Sequence, residues 1–130
     1  MRILRGWWHP LKIGERKRNP NMNDFTWSKT EKQVAKRAFD TAHEREYAKL
    51  IEVTREEAGK MREPGDLWRL HDFLTRTLKE VDEKYDYRYS QLVMVFARLI
   101  HEGWLSLDEL QGLAEDKLAT IRQILALAKE

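Results

Sequence analysis

The chain has 130 residues, a net charge of +2 and no cysteine. This length suits one domain with a modest core, and the missing thiols exclude a disulfide framework or a thiolate metal site and favour a reducing, cytoplasmic setting. No apolar run is long enough to span a bilayer, and the first residues lack the apolar segment of a secretory signal.

Charge divides the chain unevenly. Residues 1–21 carry Arg2, Arg5, Lys12, Arg16, Lys17 and Arg18 against Glu15, a balance of +5, while residues 22–130 balance at −3. The basic character therefore belongs to the tail, and the rest of the chain has no charge footprint for a phosphate backbone. Residues 1–23 also hold Trp7, Trp8, two prolines and two glycines with no helical or strand period, so they are expected to form a flexible tail ahead of a single all-helical domain over 24–130. One reading of that tail is an arm touching an anionic membrane or RNA. The other is a dispensable extension, with Met22 as an alternative start.

From Ser28 the pattern is helical. Ser28 and Glu31 fit a capping box, and Ala35, Ala38, Phe39, Ala42, Tyr47, Leu50, Ile51, Thr54, Ala58 and Met61 keep a helical period up to a break at Pro64-Gly65. The spacing predicts a helix of about 34 residues, roughly 50 Å long. Its stripe is rich in alanine and interrupted by Glu46 and Glu57, and Gly59 marks a weak point near its end. A second helix is expected from about Leu67 to Lys84, with Asp66 placed to cap it. Leu67, Leu70, His71, Leu74, Leu78, Val81 and Tyr85 draw its apolar seam, while Trp68 and Asp72 lie on an adjacent face.

Leu92, Val93, Val95, Phe96, Leu99 and Ile100 predict a third, strongly apolar helix stopped by Gly103. Ser106 and Glu109 fit a second capping box, which opens a short helix through Leu107, Leu110 and Leu113. A last helix, from about Asp116, carries Leu118, Ile121, Leu125 and Ala128. Strand signals are missing. The fold class is all-α: a long helical hairpin as a dimerising stalk, with a small helical head.

Catalytic chemistry finds little support. The four histidines, His9, His43, His71 and His101, form no i, i+4 metal pair, and the chain has no glycine-rich phosphate loop or nucleophile elbow. His43 and His101 read as surface residues, and no nucleophile accompanies His71 and Asp72. Neither enzyme activity, metal nor cofactor is expected. Trp68, His71 and Asp72 cluster within about one helical turn. Packing in a core or dimer interface is one reading of that cluster, and recognition of a partner is the other.

The stretch Asp66-Leu67-Trp68-Arg69-Leu70-His71-Asp72-Phe73-Leu74 resembles the D-L-W-x-L-H-D-F-L segment of the fluorescence recovery protein family. The likeness continues through Asp82-Glu83-Lys84-Tyr85-Asp86 with Arg88, Val95-Phe96-Ala97, Glu102-Gly103, Glu109-Leu110, Leu113-Ala114 and Asp116-Lys117. The resemblance implies a non-enzymatic, all-helical homodimer that binds the photoactivated orange carotenoid protein. By doing so it would speed return to the resting form and release from the phycobilisome, ending photoprotective quenching, with neither nucleic acid nor an integral membrane segment involved. It implies Trp68, His71 and Asp72 as dimer-interface and activity residues. The family's functional arginine, phenylalanine and lysine fall on Leu78, Met94 and Thr120, so the alternative is a divergent homologue that presents the same dimeric scaffold to a different protein partner.

Overall fold

The computed structural model describes residues 25–129; the expectation for the basic tail lies outside them. Four α-helices follow in order: α1 (Lys29–Gly59), α2 (Pro64–Lys84), α3 (Leu92–Glu102) and α4 (Glu115–Ala128), with a 3₁₀ turn at Leu107–Leu110 before α4. No strand forms among the described residues.

The predicted capping box starts α1. Ser28 Oγ accepts from the Glu31 amide at 3.1 Å, and the Glu31 carboxylate accepts from the Ser28 amide at 3.0 Å. The helix runs for 31 residues, about 46 Å, and ends at Gly59 rather than at Pro64-Gly65. Those two residues are instead the first turn of α2, which begins one turn earlier than expected. Proline lacks only an amide that would be unpaired there anyway, so at this position it starts a helix instead of breaking one. Asp66 consequently sits in the first turn and reaches back, accepting from the Arg62 and Glu63 amides at 3.0 and 3.2 Å.

α1 belongs to both halves of the molecule. Its first half contributes Val34, Ala35, Ala38, Phe39 and Ala42 to the head, where they form one core of sixteen buried residues with α3, α4, Leu105, Leu110 and Leu113. The alanines let α3 lie close. Its second half pairs with α2 in the stalk, where the buried apolar cluster is only Leu50, Val53 and Phe73, flanked by Tyr47, Leu70 and Leu74. Each such side chain contributes about 1.5–3 kcal/mol on burial, so apolar packing concentrates in the head.

Two connections depend on glycine. Gly103 caps α3 at φ 90° with open space around it. Gly112, at φ 112°, is tighter, because a Cβ there would stand 2.6 Å from Val34 Cγ2. Gly112→Ala is therefore expected to lower the unfolding free energy by about 2 kcal/mol or more, and Gly103→Ala by about 1 kcal/mol. Urea unfolding followed by helical circular dichroism checks the order of the two.

Candidate functional site

α2 turns toward α1 with Phe73, Thr77, Val81 and Lys84 buried and Leu70 and Leu74 half-buried. This corrects the predicted seam, of which only Leu70, Leu74 and Val81, with half-buried Tyr85, point inward. What α1 presents explains the difference: Phe73 joins Leu50 and Val53, and Lys84 meets Glu46. The remaining seam residues, Leu67, His71 and Leu78, face outward, with Leu67 61 % and Leu78 42 % exposed, and Trp68 on the adjacent face is 67 % exposed. Asp72 is exposed beside them. Trp68 and His71 meet edge to face with ring centroids 5.7 Å apart, and His71 Nδ1 lies 3.4 Å from Asp72 Oδ1. From Leu67 to Leu78 this face covers three turns, about 16 Å. Large apolar side chains grouped on a solvated helix, rimmed by polar groups, are the signature of an interaction surface. Met94 and Thr120 are not part of it. Met94, on α3, is half-buried against the head core, and Thr120, on α4, donates to the Asp116 carbonyl at 2.9 Å.

Sequence reasoning missed the charged residues that fasten the elements. Lys84 Nζ, with its side chain 5 % exposed, lies 2.7 Å from both Glu46 Oε2 and Glu102 Oε1. Arg98 Nε reaches Glu102 at 3.0 Å, and the Tyr85 hydroxyl donates to Glu46 at 2.9 Å. Burial, followed by the negative charge of Glu46 and the hydrogen bond to it, pushes the Tyr85 phenol above its usual range. Glu46 was legible only as an interruption of the α1 stripe, and that interruption was the signal. His43, expected at the surface, is half-buried, with ring centroids 4.7 Å from Tyr47 and 4.5 Å from Tyr85.

A second buried pair closes the head. Lys117, 1 % exposed, lies 2.8 Å from Glu31 and beneath the rings of Trp27 and Phe25, at 4.9 and 5.4 Å. Glu31 also accepts from the Ala114 amide at 2.9 Å. Burial raises the Glu31 pKa, but the Lys117 hydrogen bond and the Ser28 and Ala114 amides outweigh it and hold the carboxyl at about 2. Across the head, Arg45 grips both oxygens of Glu109 at 2.8 Å and holds that carboxyl at about 2 as well.

Among the described residues no His, Asp and Glu side chains group to hold a metal, and no helix is long and apolar enough to cross a membrane. A family model described as the photoprotection regulator fluorescence recovery protein matches residues 27–126. The chain belongs to the fluorescence recovery protein family. The fluorescence recovery protein of Synechocystis sp. PCC 6803 is 40 % identical over 101 residues, which is 78 % of this chain and 93 % of that protein. The solved structure of the Fremyella diplosiphon fluorescence recovery protein is 51 % identical, with a TM-score of 0.74 over 78 % of this chain and 99 % of the other. The solved Synechocystis structure, at 39 % identity, has a TM-score of 0.75 over the same shares. The chain is accordingly a regulator of photoprotection, and its outward α2 face lies within the segment that carries the family resemblance.

The two depressed carboxyls have a measurable consequence. Ionised Glu31 and Glu109 are favoured by the fold, so their stabilisation is complete above about pH 5 and is lost as pH falls from 4.5 toward 2. Glu31→Gln is expected to cost about 3 kcal/mol at pH 7 by leaving buried Lys117 with only the exposed Asp116 carboxylate, 3.6 Å away. The difference from the parent protein should shrink near pH 2.5, as urea unfolding across that range would show.

Proposed function

We propose that the chain is a cytoplasmic, non-enzymatic homodimer that binds the photoactivated orange carotenoid protein, speeding its return to the resting form and its release from the phycobilisome. The observation that carries this reading is the exposed apolar face at Leu67, Trp68, His71 and Leu78, on the α2 segment shared with the family. Tryptophan and leucine so exposed favour a partner surface that removes them from water. In this reading Trp68, His71 and Asp72 lie in the dimer interface and Leu78 extends it, while Met94 and Thr120 contact the partner from the head. A regulator of this kind acts by binding one conformation of its partner more tightly than the other, and so shifts the equilibrium without chemistry.

One observation favours a second reading. Leu78 and Thr120 stand where the resemblance implies an arginine and a lysine, and neither can form charge-assisted hydrogen bonds. The same dimeric scaffold would then serve a different protein partner.

Adding the protein to photoactivated orange carotenoid protein should accelerate the red-to-orange decay measured by absorbance. No acceleration at stoichiometric amounts would sink the first reading. Light scattering should give twice the 15.6 kDa chain mass. Trp68→Ala should weaken self-association by about 2 kcal/mol, roughly 30-fold.

A further inference from the structure

α2 contains two overlapping seams, and the fold buries the less apolar one. With 3.6 residues per turn, Leu67, Leu70, His71, Leu74, Leu78, Val81 and Tyr85 centre on one line along the helix, and Leu70, Phe73, Thr77, Val81 and Lys84 on another roughly 70° away. The second line faces α1, so a threonine and a lysine are buried along with Phe73 and Val81 while Leu67 and Leu78 remain in water. Phe73 against Leu50 and Val53 favours that orientation in mid-stalk, but apolar burial gives Thr77 and Lys84 no reason to face inward.

The ionic cluster at the end of α2 does. Lys84 is the inward residue at the head end of the helix, and its ammonium is shared between Glu46 of α1 and Glu102 of α3, with Tyr85 and Arg98 completing the carboxylates' hydrogen bonds. Turning α2 so that Leu67 and Leu78 face α1 would carry Lys84 out of this cluster and leave Glu46, 2 % exposed, without its cation. A buried charge tolerates no such loss, and buried ion pairs are best attested as devices that fix register. We propose that Lys84, Glu46 and Glu102 are positioning residues that set the roll of α2 and thereby turn the Leu67–Leu78 stripe outward. What docks on the stripe rests on the reading above; how the stripe is held does not.

Because the chain has no cysteine, Thr77→Cys gives the full-length protein a single thiol at a position 4 % exposed. In the parent background this thiol is protected from a disulfide reagent. In Glu46→Gln/Lys84→Met/Glu102→Gln, which removes the three buried charges and leaves only Arg98, 28 % exposed, without its carboxylate, it should react at least about tenfold faster at native helix content, and in Glu46→Gln alone by about threefold. Val53→Ala, which loosens the stalk but leaves the ionic cluster intact, should expose the thiol only as far as its own unfolding free energy requires. Reactivity within about twofold of the parent in folded Glu46→Gln overturns the proposal, even if the triple variant does not fold. Light scattering on the same variants separates the two claims: a faster thiol with an unchanged dimer refutes the α2 interface and leaves the roll device standing.

Discussion

An ammonium with 5 % of its side chain exposed, held 2.7 Å from each of two carboxylates, is costly to desolvate. Ion pairing does little more than balance that cost, but removing one member leaves a deficit of about 3–5 kcal/mol. Burying the exposed parts of Leu67 and Leu78 would return about 1–1.5 kcal/mol each. The comparison favours keeping Lys84 inside. The molecule thus accepts exposed leucine and tryptophan on one side of the stalk because charge has already been committed to the other.

Cohesion is distributed in the opposite sense to the proposed recognition surface. The head has sixteen buried residues in its core, and the stalk has three. Elements with few buried apolar contacts open at the lowest free energy, so the outward face of α2 sits on the part of the fold least able to hold itself together. A protein surface laid along that face would order the hairpin as it binds, and its affinity and the stability of the stalk would rise together.

Local signals in the sequence were the legible ones. The boxes at Ser28–Glu31 and Ser106–Glu109 join residues three apart, and both form as read, although the second opens only a 3₁₀ turn. Gly103 stops α3 where its missing side chain says it should. Pro64-Gly65 was ambiguous because proline both ends one helix and starts the next, and only the fold decides between them. Lys84, Glu46 and Lys117 were illegible for a different reason. Periodicity treats a charge at an inward position as an interruption, and its partner lies tens of residues away, so the pairing has no local trace. The same blindness placed His43 at the surface and turned the α2 seam by part of a turn. Family resemblance located the segment that carries the outward face and implied an interface role for Trp68, His71 and Asp72, but it did not say which residues of the segment turn toward α1.

Glu31 accepts from Ala114, 83 residues along the chain, and pairs with Lys117 beyond it. The head therefore closes on itself through its own two ends, and the stalk leaves and re-enters it at neighbouring points joined by the Glu46–Lys84 pair. Topologically, the hairpin is an insertion into a finished body. Loop-closure entropy grows only slowly with the length inserted, so the reach of the stalk is a quantity that whole helical turns, added or removed in matched pairs beyond Glu46 and before Lys84, can adjust without reopening the head.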